Sequence, residues 1–222
     1  MVYESLMTSP TFKKLFVDLF GTSARFNVKF EIVENLDING KMINGYCRPI
    51  TENDLRIQIN KQILTSNGIR PKTNIEIAKT ILHECIHAYL AIKGKFPDVA
   101  GSPIPGIESM TFEEVVKATR PGKDVQHDFM YNHMIPTMKK VLGEIKDLLT
   151  TLATRAVVEK IRLQPNFYTN PQNTDLWDWN DYFYYLSLEG LHNTEGFIKE
   201  FPNKTDQYEL LMEYLFFGHK NL

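Results

Sequence analysis

The chain has 222 residues, of which 43% are hydrophobic, 12% aromatic and 23% charged, with 25 Lys plus Arg against 27 Asp plus Glu. This length can bury a substantial core without covalent staples, and two cysteines, Cys47 and Cys85, exclude both a disulfide framework and a four-cysteine zinc ribbon. Neither a secretory leader nor a run of eighteen apolar residues is evident, so a cytoplasmic, non-membrane protein is expected.

Charge is unevenly placed: residues 1–164 carry 22 basic and 18 acidic side chains, and residues 165–222 carry 3 and 9. A body this weakly basic gives no electrostatic argument for nucleic acid, whose binders show a strongly basic stripe or domain.

In chain order, Phe12, Leu15, Phe16 and Leu19 recur at helical spacing, which predicts an amphipathic helix over Ser9–Leu19. Alternating residues at 27–33 and 55–60, with tight-turn signals at Asn39-Gly40 and Asn44-Gly45, predict two or three antiparallel strands. Thr73 and Glu76 form a capping-box pattern before an apolar run from Ile75 to Ile92, with Gly94 suited to terminate the helix. Residues 95–124 are rich in Pro and Gly and read as a loop with one short helix at 111–118.

A long helix is expected from Asp124 to Arg162, kinked at Pro136, and the Pro/Asn-rich run from Pro165 ends it. Three further helices are expected, over Asp175–Glu189, from Thr194, and over Lys204–Phe217. The fold class is therefore α+β: a domain over 1–164, with a small antiparallel sheet packed on the Thr73-capped helix, and an α-helical, aromatic-rich C-terminal extension over 165–222.

His83-Glu84-Cys85-Ile86-His87 places an H-E-x-x-H sequence inside that capped helix. Four residues apart, the two imidazoles stack one turn above each other and can grip one ion, while Glu84, turned about 100° from His83, points at the ion's water. A zinc ion lowers the pKa of bound water toward about 7, and the carboxylate can take the proton, the chemistry of a metallopeptidase.

A catalytic zinc needs a third protein ligand and an open position. The metzincin pattern is excluded because Leu90 and Lys93 stand where its Gly and His belong. His127, opening the long helix in Gln126-His-Asp-Phe-Met-Tyr131, is the leading third ligand, and a glutamate from Glu108, Glu113 or Glu114 is the alternative. Tyr131, one turn later, is a candidate donor to a developing oxyanion, although an aromatic at that spacing also suits a core.

His133, about 240° around the helix from His127, is expected not to be a ligand, and Cys85 is expected on the helix's buried, opposite face. The strand at Leu55–Asn60, if it lies at the sheet edge, could pair with an extended peptide.

From Phe30 to about Leu142 the chain resembles the SprT-like zinc metallopeptidases, a zincin family: a strand pair, the helix ILHECIHAYL, and a downstream helix beginning with a histidine. Leu188–Phe197 also resembles the tail of SprT-like proteins from Bacteroidetes and their phages. The resemblance implies His83, His87 and His127 as Zn2+ ligands, Glu84 as general base and a polypeptide as substrate. Spartan-type members, which cut DNA-crosslinked proteins, rely on DNA-binding elements that this sequence lacks.

The expected function is thus a zinc-dependent endopeptidase. The alternative is a structural or assembly protein, for example a phage virion component, that keeps a zincin fold. Trp177, Trp179, Phe183 and Leu186 are expected to pack against the catalytic domain or a neighbouring subunit, the second case making this region a protein-partner surface.

Overall fold

A computed structural model of the protein describes residues 2–20, 26–51, 53–96 and 123–222. The N-terminal apolar periodicity folds as α1 (Val2–Leu6), then α2 (Pro10–Phe12), a π-helical segment (Lys13–Val17) and α3 (Asp18–Phe20). Phe12, Leu15, Phe16 and Leu19 are all buried, as their spacing requires. Ser9 caps this stretch by accepting from the Phe12 N–H, and its hydroxyl donates to Glu144 far along the chain.

The strands are β1 (Asn27–Val33), β2 (Asp37–Ile38), β3 (Lys41–Met42), β4 (Gly45–Pro49) and β5 (Asp54–Asn60). The main sheet has the order β1-β5-β4 and is mixed, correcting the expected antiparallel sheet: β1 runs parallel to β5 and β4 runs antiparallel to it. Alternating apolar and polar residues fix which face is buried and are silent on strand direction, because both ladders share the period of two. Residues 34–53 supply the long connection that a parallel pair needs, and the β2–β3 hairpin turns within it at Asn39-Gly40, both at positive φ.

Leu55, Ile57 and Ile59 of β5 are buried beneath the helices, while Arg56, Gln58 and Glu31 pair on the opposite face. Strand β5 is the centre of the sheet, so the condition for peptide pairing at Leu55–Asn60, an edge position, is not met; the edges of this sheet are β1 and β4.

Helix α4 (Asn74–Lys95) opens with the predicted capping box, in which Glu76 N–H donates to the Thr73 hydroxyl and Thr73 N–H donates to the Glu76 carboxylate. It continues through Gly94, the residue expected to end it, and closes at Phe96. The long stretch expected over 124–162 is instead α5 (Lys123–Phe129), a π-helical segment (Met130–Met134), α6 (Ile135–Leu149) and α7 (Leu152–Val158). Thr150 is extended and Thr151 caps α7 in a second capping box, so the helix breaks there rather than running to Arg162.

A short pair, β6 (Arg162–Leu163) and β7 (Asp175–Leu176), leads to α8 (Trp179–Leu188), α9 (Glu195–Glu200) and α10 (Asp206–Asn221). Trp177, Tyr182, Phe183 and Leu186 are buried in the chain's own core, where α8 packs on α6. Among the described residues no helix is long and apolar enough to cross a membrane. The short helix expected at 111–118 lies outside the described residues.

Candidate metal centre

Helix α4 is buried almost all round, with Ile75, Ala78, Leu82, Cys85, Ile86 and Tyr89 fully enclosed. Cys85 therefore behaves as an apolar filler, and burial pushes its thiol well above the ordinary range. Against that background the helix carries one buried polar stripe, built of two columns at four-residue spacing: Glu76, Thr80 and Glu84, beside Lys79, His83 and His87. Thr80, Lys79, His83, Glu84 and His87 line a cavity of about 240 Å³, shared with Met42–Gly45, Arg70, His127, Glu189 and Gly190.

Within this cavity His83, His87 and His127 converge. Their ring centroids form a near-equilateral triangle with sides of 4.9, 5.3 and 5.1 Å. One ligand nitrogen from each lies within 4.8 Å of the others, an arrangement that could hold a metal ion. The His87 and His127 Nε2 atoms are 3.2 Å apart. An ion held tetrahedrally by nitrogens at about 2.0–2.1 Å separates them by about 3.3 Å, so the spacing of this pair suits one shared ion. The three histidines come from two elements, α4 and α5, and His83, Glu84 and His87 are only 7, 6 and 5% exposed. Glu108, Glu113 and Glu114, the alternative third ligands, lie outside the described residues.

Three features around the triad carry no motif in the sequence. First, Gln126, the residue before His127, is buried, and its Oε1 lies 2.6 Å from His87 Nδ1. Second, β4 begins against the Glu84 carboxylate. A Cβ at Gly45 would stand 2.8 Å from Glu84 Cγ and 3.0 Å from its Oε1, so the turn signal read at Asn44-Gly45 is a close-approach glycine and not a hairpin. Third, the tail closes the cavity. Gly190, at φ +94°, passes His83 Cε1 and Lys79 Nζ so closely that an added Cβ would be 3.6 and 3.7 Å from them.

Lys79 donates to the Glu189 carbonyl, and the Glu189 carboxylate pairs with Lys72 at 2.7 Å. Burial pushes the Glu189 carboxyl up, but Lys79 and Lys72 outweigh it and hold the group below its ordinary value. Burial lowers the Lys79 ammonium despite those anionic neighbours. Lys72 also reaches Glu76, which His219 of α10 contacts at 3.0 Å, so α4 and the tail share one partly buried cluster of polar side chains.

Tyr131 is placed elsewhere, which corrects its expected role at an oxyanion. It sits in the π-helical segment, its hydroxyl donates to Glu200 of α9, and it lines a separate cavity with Pro136, Phe183 and Tyr184. Burial, and then that bond, raise its pKa. His133 packs against Phe129 with ring centroids 4.7 Å apart, and His192 against Phe197 at 4.9 Å.

No protein-family model matches the chain, and neither a curated protein nor a solved structure matches it.

Proposed function

We propose that the protein is a zinc-dependent endopeptidase with a zincin-like, SprT-like site, in which His83, His87 and His127 hold the ion and Glu84 is the general base. The observation that carries this reading is the convergence of three imidazoles within 4.8 Å on a cavity whose wall also presents Glu84. A site that only held an ion for structural reasons would have no use for a carboxylate beside it, and structural zinc is usually closed by a fourth protein ligand. When bound, zinc would polarise a scissile carbonyl and make its water more acidic.

The remaining chemistry belongs to the chain. Glu84 accepts a proton from the attacking water as its oxygen bonds to the carbonyl carbon, then returns that proton to the departing amine as the C–N bond breaks. Asn44 and Gly45 at the start of β4 line the same cavity, and β4 pairs with β5 on one side only among the described residues. An extended polypeptide is therefore the substrate shape that fits, held by strand addition along β4.

The test joins metal and activity. Elemental analysis of the purified chain should find about one zinc per chain, sharply reduced in His127→Ala. Glu84→Gln should keep zinc and melting temperature while lowering hydrolysis of a fluorophore-labelled denatured casein by about 10²–10⁴-fold. Undiminished hydrolysis in Glu84→Gln would overturn the assignment, and a wild type without zinc would favour an assembly role.

A further inference from the structure

We infer that Gln126 is a positioning residue for the metal centre: its side-chain oxygen holds His87 in the tautomer whose Nε2 lone pair faces His127. This inference rests on the metal-site reading above and adds to it the group that sets the second ligand.

The geometry is specific. His87 Nδ1 and Gln126 Oε1 are 2.6 Å apart, on the side of the ring away from His127, while His87 Nε2 faces His127 Nε2 at 3.2 Å. A neutral imidazole has one N–H and one lone pair, so an acceptor at Nδ1 places the proton there and frees Nε2 for an ion. Both partners are buried, His87 at 5% and Gln126 at 6% exposure, so bulk water does not readily take over the acceptor role. An outer acceptor of this kind orients the ring and raises its basicity toward the metal.

The chain position adds a second consequence. Gln126 and His127 are neighbours at the end of α5, so one short segment both supplies the third ligand and fixes the second. The first ligand pair is spaced by the helical turn of α4, and the Gln126-His127 pair then sets the azimuth of His87 and closes the triangle.

The experiment uses the full chain, as wild type, Gln126→Leu and Gln126→Glu. Leu keeps the approximate bulk and removes the acceptor, whereas Glu keeps an acceptor oxygen at the same reach. Zinc affinity is read by competition with a chromophoric chelator, and the protonated nitrogen of His87 by ¹⁵N-correlated NMR of the imidazoles. Gln126→Leu should bind zinc about 10–100-fold more weakly, Gln126→Glu should hold wild-type affinity or better, and wild-type His87 should carry its proton on Nδ1.

Equal zinc affinity in wild type and Gln126→Leu, or a wild-type His87 protonated on Nε2 alone, would overturn the inference. Should Gln126→Leu fail to fold, the wild-type NMR spectrum still decides. A wild type that binds no zinc would instead overturn the metal-site reading, and the inference with it.

Discussion

A methyl group at Gly45 would press on Glu84 from 2.8 Å, well inside carbon–carbon contact. Gly45→Ala must therefore move either the start of β4 or the carboxylate. The nearest atom is Cγ, close to the α4 backbone, so relief requires the whole Glu84 side chain to turn into the cavity beside it and away from its present position. The expected outcome is a loss of about 1–3 kcal/mol in urea denaturation, with peptide hydrolysis reduced further than stability accounts for and zinc content retained. Activity that falls only in step with the unfolded fraction would show that Glu84 keeps its position.

At this scale the sequence was informative where chemistry and spacing coincide. Two histidines and a glutamate at helical offsets announce themselves, and His127 is the leading candidate for a third ligand, beside Glu108, Glu113 or Glu114. Gln126 and Gly45 were invisible because an amide and a glycine acquire their roles only from what folding brings beside them.

Among the elements, α4 depends on its first turn. Thr73 and Glu76 satisfy each other's backbone donors, and the same Glu76 carboxylate meets Lys72 at 3.0 Å and His219 at 3.0 Å. Thr73→Ala leaves the Glu76 N–H without its side-chain partner, at a cost of about 1 kcal/mol. For a chain of this size that lowers the melting temperature by about 2–4 °C, measurable by differential scanning calorimetry, and a shift below 1 °C would mean that the ionic cluster alone holds the turn.

Helix starts were legible here because a capping box is a local code. Strand direction was not, since β1 and β5 alternate identically whether parallel or antiparallel. The break at Thr150 was missed because Thr151 and Thr154 cap each other without the acidic third position that usually marks a box.

Over the whole molecule, the cavity owes one wall to contacts that span 110 and 117 residues, from Lys79 and Lys72 to Glu189. Separations of that length leave no periodic trace in a sequence, which is why the tail read as an appendage. Their charge makes the union sensitive to acid. Glu189 is held below its ordinary value of 4.5, so its contribution to stability is complete above the unfolded-state value and is lost as pH falls through the lower folded-state value. Urea midpoints measured from about pH 7 to pH 2 should therefore decline less steeply below about pH 5 in Glu189→Gln than in the wild type, with the variant weaker at neutral pH. Parallel curves would show that other carboxylates govern the acid limb.

The closure of the cavity by Glu189 and Gly190 bears on how the protein could be dissected. A fragment ending at residue 164 keeps every histidine of the triad and Glu84. It would nonetheless bare the flank of His83 to solvent, strip Lys79 of its carbonyl acceptor and uncover the side of α6 on which α8 rests. The smallest piece able to form the centre is consequently set by tertiary closure, and a boundary drawn around the three histidines alone would cut through the walls of their cavity.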